Sequence, residues 1–233
     1  MNICIVYIYP VAIHGAQHAT YAERFVKSYR QHPPGLEHST VVISNGGGPS
    51  SLAVRQCSWL QNAKFLQHDD SGMDIGGYQL AARTAPCDMM VCLGGASYFR
   101  GPNWLKRMVE VFEAYGEGLY GCTGNQGDNR VTANGIERVW PHIRTTGFWC
   151  SPKLINSHPF KVFNNSQRYP YEHGQNSLTN WAIINEKPVL VVGWNEIRQL
   201  HNCDSMPGGF HNGTQHNLIV GDRLTEPPYH NVP

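Results

Sequence analysis

Charge is scarce in this chain. Asp, Glu, Lys and Arg make up 15% of its 233 residues, below the ~25% of an ordinary soluble domain. The 18 Lys and Arg nearly balance the 17 Asp and Glu, for a net charge of +1, and no basic block stands out. That excludes general nucleic-acid binding, which needs a clustered positive field. No apolar run approaches the ~18 residues of a membrane-spanning helix, so no transmembrane segment is expected. The apolar residues 1–10 lack the basic flank and the small-residue cleavage site of a secretory signal. A cytoplasmic location is therefore expected. The seven cysteines are odd in number and scattered, and no CxxC pair is present. Neither a zinc knuckle nor a disulfide framework is supported. Several of them sit in apolar strand-like runs, where a free thiol behaves as a small buried hydrophobe. There is no GxGxxG after the first apolar run, which counts against a dinucleotide enzyme. No repeat, low-complexity stretch or linker interrupts the chain.

What is present is a core's worth of apolar residues, 41% of the chain, in a length suited to one α/β domain. Asn2–Tyr9 is a continuous β-branched and aromatic run, as in a strand buried on both faces. Thr20 and Glu23 form a potential capping box ahead of Tyr21, Phe25, Val26 and Tyr29 at helical spacing, and Pro33–Pro34 stops that helix. Strands are predicted over Thr40–Ser44, Ala63–Gln67, Asp88–Leu93 and Leu119–Thr123. Helices are predicted from Ser50 or Ser51 through Leu60, over Ile75–Thr84, and after Pro102 with Trp104, Leu105, Met108, Val109 and Phe112 on one face. This alternation predicts a mostly parallel sheet with helices on both faces, whose ligands bind at the carboxyl ends of the strands. Those ends carry Tyr9–Pro10, Asn45–Gly48, Asp69–Asp74 and Gly94–Ser97. In the second half, Ile143–Cys150 alternates like a half-exposed strand, Ser177–Asn185 reads as a helix and Val189–Val192 as a strand.

Three segments together carry a resemblance. They are Asp70-Ser-Gly-Met-Asp74-Ile-Gly-Gly-Tyr78, Met89–Trp104 and His142–Leu154. They resemble GT-A glycosyltransferases, in particular the rhamnan-synthesis and family-2-like nucleotide-diphospho-sugar transferases. In those, a loop of the first kind lines the donor pocket, the second leads into an Asp-x-Asp motif, and the third is an acceptor-side strand. A weaker likeness joins Tyr171-Glu172-His173-Gly174 to the acidic helix start that supplies a base. The resemblance implies a three-layer GT-A sandwich around a mostly parallel mixed sheet. It implies one domain over residues 1–233, with a donor half (1–125) and an acceptor half (126–233). It implies a sugar moved from a nucleotide-diphosphate donor, such as a UDP-sugar, to a saccharide or other hydroxyl acceptor, as in polysaccharide synthesis. One departure stands out: the Asp-x-Asp position reads Gly94-Gly95-Ala96. Mn²⁺ or Mg²⁺ held there offsets charge on the leaving diphosphate. Its place must be taken by other ligands or left empty, and a sugar- or nucleotide-binding module that has lost activity is the alternative.

The donor-binding set expected on this footing is Tyr9, Pro10, Asn45, Asp70, Gly72, Asp74, Gly76, Gly77, Tyr78, Gly94, Gly95, Ala96 and Ser97. The glycines would admit a close approach by the donor, although an Asp before a helix also serves as an N-cap. Glu172 and His173 are the expected catalytic pair, one of them taking the acceptor proton. Arg144 and Trp149 are expected at the acceptor, Arg144 because a guanidinium forks onto phosphate oxygens. Arg100 is a second arginine of that kind. His211 and His216 are candidate metal ligands, with Asp204 or Asp70 as partner.

Overall fold

The structure, a computed structural model, describes residues 1–10, 16–47, 51–125, 127–132, 135–205 and 215–225. Strand β1 (Ile3–Pro10) lies near the middle of the main sheet. Successive side chains of a strand point to opposite faces. Accordingly Ile3, Ile5, Tyr7 and Tyr9 enter one core layer, and Cys4, Val6 and Ile8 the other. A strand buried on both sides has no polar alternation to show, hence the unbroken apolar run. Helix α1 (Ala16–Gln31) returns the chain to β2 (Ser39–Asn45), α2 (Ser51–Cys57) to β3 (Ala63–His68), and α3 (Met73–Thr84) to β4 (Met89–Leu93). These four strands pair in parallel, in the order β4-β1-β2-β3.

After β4 a short strand β5 (Tyr98–Phe99) leads to α4 (Trp104–Tyr115) and β6 (Leu119–Gly121). Trp104 is wholly buried and stacks on Phe99 with centroids 3.8 Å apart, a pairing worth ~0.5–1.5 kcal/mol beyond burial itself. The chain then forms β7 (Gly124–Asn125), the hairpin of β8 (Asp128–Thr132) and β9 (Gly135–Val139), and β10 (His142–Ile143), which pairs with β7. It re-enters the main sheet as β11 (Phe148–Cys150). Helices α5 (Pro152–Ser157), α6 (Asn165–His173) and α7 (Leu178–Ile184) follow, then β12 (Val189–Val192) and β13 (Ile197–Gln199). Strand β14 (Val220–Gly221) covers β5.

The main sheet has eight strands in the order β13-β12-β6-β11-β4-β1-β2-β3. Strand β11 is antiparallel to both of its neighbours, and β13 to β12; the other pairs are parallel. Strands from both halves of the chain thus share one sheet. One core layer contains residues of α1, α2 and α4, and the opposite layer residues of α3, α5, α6 and α7.

Three local expectations change. Helix α1 begins at Ala16, so Thr20 and Glu23 lie inside it and form no capping box. Asp74 is in the first turn of α3 and makes no cap hydrogen bond. The predicted strand Ile143–Cys150 is broken at Thr145–Gly147, and β11 is buried on both faces rather than half-exposed. That break positions the site.

Candidate functional site

Because β11 runs antiparallel to β4, its amino end lies beside the carboxyl end of β4, with Phe148 opposite Cys92. The turn Thr145–Gly147 therefore meets the bend Gly94–Ser97 at the strand tips. Both segments are fixed by their carbonyls. Tyr78 Oη donates to the Thr145 carbonyl at 3.1 Å, and Ser97 Oγ to that of Thr146 at 2.9 Å. Tyr7 Oη donates to the Gly95 carbonyl at 3.0 Å, and Arg24 Nη2 to that of Ala96 at 2.7 Å. With the backbone held, the two threonine hydroxyls turn outward to carboxylates. Thr145 Oγ1 donates to Glu172 Oε1 at 2.5 Å, and Thr146 Oγ1 to Asp222 Oδ2 at 2.7 Å. Asp222 is buried. It also accepts from Arg144 Nη2 at 2.9 Å and from the Leu224 N–H at 2.8 Å.

Asp74 enters from the other side, at the start of α3. A Cβ placed on Gly94 would stand 3.2 Å from Asp74 Oδ2, so the carboxylate lies against the bare backbone of the bend. The half-buried Asp74 side chain has no hydrogen-bond partner among the described residues. Desolvation, and then the negative charges of Glu172 and Asp70, push its pKa up to about 7; the Arg168 guanidinium partly opposes them. The approach to α3 is strained: Asp70 and Met73, neither of them glycine, have φ of 68° and 50°. Non-glycine residues in this region cluster at functional sites.

Glu172 is held differently. Besides Thr145, its Oε2 lies 3.4 Å from Arg168 Nε, one helical turn earlier. The segment is not an acidic helix start, for Glu172 and His173 close α6.

Asp74, Gly94, Gly95 and Ala96 converge at the strand tips, with Glu172 beside them. Asp70 and Gly72 sit on the approach, and Pro10 ends β1 opposite Asn45. Several other expected residues take supporting places. Tyr9 packs its ring into the core and donates to Gln56 Oε1 at 2.6 Å. Asn45 Oδ1 is 2.7 Å from His68 Nδ1. Tyr78 and Ser97 are buried and spend their hydroxyls on the turn. Gly76 and Gly77 face inward, where a Cβ would come within 2.5 Å of His68 Cε1 and 2.7 Å of Ile8 Cδ1. Their missing side chains let α3 pack on the sheet. A Cβ on Gly72 would meet Val162 at 3.0 Å.

On the acceptor side, Trp149 is a core residue, 0% exposed and stacked on Tyr120, so it offers no platform for a sugar. Arg144 is neutralised by Asp222. His173 is buried beside the rings of His142 and Tyr169. His216 is exposed. His211 and the side chain of Asp204 lie outside the described residues. Sequence reasoning missed Thr145, Thr146, Arg168 and Asp222. Only the pair of threonines before a glycine hinted at a turn.

The fold has counterparts among solved structures. Mouse xyloside xylosyltransferase 1 matches 98% of this chain and 100% of its own, with a TM-score of 0.56 and 11% identity. This chain has the GT-A fold. S. aureus TarS shares the GT-A core over 79% of this chain and 34% of its own length, with a TM-score of 0.53 and 13% identity. No protein-family model matches the sequence, and no curated protein sequence is significantly similar to it.

GT-A proteins resembling this one would hold a divalent metal between carboxylates and diphosphate. The described residues do not fit one. Residues 94–96 carry no carboxylate, Asp222 is taken up by Arg144, Thr146 and Leu224, and no group of three His, Cys, Asp or Glu side chains among the described residues is placed to hold a metal ion. Among the described residues, no helix is long and apolar enough to cross a membrane.

Proposed function

We propose that this protein is a glycosyltransferase that moves a sugar from a nucleotide-diphospho-sugar onto a hydroxyl of a saccharide acceptor. One observation carries the reading: a carboxylate without a hydrogen-bond partner among the described residues, its pKa raised to about 7, at the strand-end bend of a GT-A fold. Ligands of such sheets lie outside the carboxyl ends of the strands. The partly exposed Gly95 and Ala96 leave room there for a diphosphate. The mouse neighbour is named for the transfer of xylose to a xyloside, which supports a sugar both as the group moved and as the acceptor.

The acceptor oxygen attacks the anomeric carbon. The bond from that carbon to the phosphate oxygen breaks, and its electrons leave with the nucleoside diphosphate. The acceptor proton passes to Asp74. A base is most effective when its pKa lies near the working pH, which favours Asp74 over Glu172, whose oxygens are engaged by Thr145 and Arg168. Glu172 supplies a fixed negative charge that keeps Asp74 proton-seeking.

Melting curves with UDP, GDP, dTDP and CDP test this reading, because a ligand bound only to the folded state raises the melting temperature. A shift that Asp74→Asn weakens, with donor turnover lost in that variant, is expected. No shift with any nucleotide would end the proposal. A shift with neither transfer nor donor hydrolysis would instead mark a binding module.

A further inference from the structure

If residues 94–96 hold no metal, the charge of a departing diphosphate must be met by side chains. The arginines near the strand tips differ in what they have left to give. Arg144 is paired with a buried carboxylate. Arg24 is committed to the Ala96 carbonyl and lies over the Tyr98 ring at 4.3 Å. The Arg100 side chain is exposed.

Arg168 stands apart. It projects from α6 beside Asp74 and Glu172, with its side chain 22% exposed. Its Nε lies 3.4 Å from Glu172 Oε2 but makes no hydrogen bond and is shielded from solvent. Its Nη1 donates to the sulfur of Met73 at 3.1 Å, and a thioether is a weak acceptor. The face of its guanidinium lies 4.7 Å from the Tyr169 ring centroid. Among the described residues, none of its N–H groups makes a hydrogen bond to oxygen, although a guanidinium offers five donors in a fork that matches phosphate. A desolvated cation with unspent donors has much to gain from an incoming anion. Met73, which takes the weak bond, is one of the strained residues leading into the Asp74 turn.

We infer that Arg168 is the cation that binds the diphosphate of the donor and receives the charge of the leaving group, so that binding and transfer need no divalent metal. This rests on the glycosyltransferase reading. In the ground state the guanidinium exchanges the Met73 sulfur for a phosphate oxygen and stays beside Glu172. When the glycosidic bond breaks, the electron pair arriving on the phosphate oxygen meets a fixed positive charge. Asp70, Asp74 and Glu172 also face this space and oppose an anion. The proton that Asp74 takes from the acceptor during transfer, and the pairing of Glu172 with Arg168, limit that opposition.

The test compares UDP, GDP and UMP by calorimetry and melting, each in EDTA and in Mn²⁺, for the unaltered protein, Arg168→Gln and Arg168→Lys. UDP or GDP is expected to bind in EDTA within about threefold of its affinity in Mn²⁺. Arg168→Gln is expected to weaken that binding at least tenfold, Arg168→Lys by less, and UMP binding little in either, since each good charge-assisted contact to phosphate is worth a tenfold or more. Binding only with Mn²⁺, or diphosphate affinity untouched in both variants, would overturn the inference while leaving the glycosyltransferase reading in place. No binding of UDP, GDP, dTDP or CDP by the unaltered protein would remove both. The melting temperature without ligand separates a lost contact from a lost fold.

Discussion

The Asp74 carboxylate rests against Gly94, so closely that a Cβ at residue 94 would stand 3.2 Å from Oδ2. The same Cβ would come within 3.4 Å of Thr146 Cγ2. The bend after β4 is therefore not spare room. It is the floor on which the start of α3 and the turn before β11 meet.

Gly94→Ala should act on the site more than on the fold. The added methyl presses on a carboxylate and a threonine methyl, both able to give by a few tenths of an ångström. A stability loss of about 1 kcal/mol or less is expected, with at least a tenfold fall in nucleotide affinity or turnover. Calorimetry and denaturant unfolding on one sample read the two effects separately.

Asp74 should cost the protein stability at neutral and higher pH. Its folded pKa, about 7, is above the ordinary 3.8, so the folded state holds a proton that the unfolded chain gives up at lower pH. The destabilisation is absent below pH 4, grows as pH rises, and is complete above pH 7, where it amounts to at most about 4 kcal/mol. Asp74→Asn should therefore be more stable than the parent at pH 8 and indistinguishable from it near pH 4. Urea unfolding at the two pH values checks the sign.

Glu172→Gln should change the pH profile of transfer. The negative charge of Glu172 helps to raise the pKa of Asp74, so removing it lets Asp74 ionise at lower pH. The acid limb of turnover, expected near pH 7 in the parent, should move towards lower pH. A limb left in place by Glu172→Gln would mean that another group is the base.

The Arg144–Asp222 pair should behave as a buried ion pair. Their side chains are 11% and 6% exposed and 2.9 Å apart. Asp222→Ala strands a buried guanidinium and frees the Thr146 hydroxyl, and a loss of about 3–5 kcal/mol is expected by denaturant unfolding.

Trp149 should prove structural. Its Nε1 is buried without a partner among the described residues, so Trp149→Phe exchanges some contact area for the removal of an unpaired N–H. A cost below about 1.5 kcal/mol is expected, with nucleotide and acceptor binding unchanged. Trp149→Ala should lose about 3–5 kcal/mol.

Much of the layer order was legible in the chain because burial on both faces leaves a local trace. Asn2–Tyr9, Thr40–Ser44, Asp88–Leu93 and Val189–Val192 each announce a strand by their own composition and appear as β1, β2, β4 and β12. The α4 face is likewise readable from the spacing of Trp104, Leu105, Met108 and Val109, all of them buried. The segment 143–150 misled because a strand of three residues is too short to show a period, and its two threonines read equally well as strand or turn. The sequence by itself determined the alternating strands and helices of the first half up to β6, the strand β12 and the helix α7, and that Asp74 and Gly94 follow strand ends. Only the tertiary structure decided which polar groups meet there. The insertion of β11 between β4 and β6 brings Thr145 and Thr146 to the site, α6 brings Arg168 and Glu172, and the segment after β14 brings Asp222. A polar side chain in a loop or at a helix end has the same local signature whether it faces water or a carboxylate far along the chain. Its role is fixed by long-range packing, which leaves no period to read.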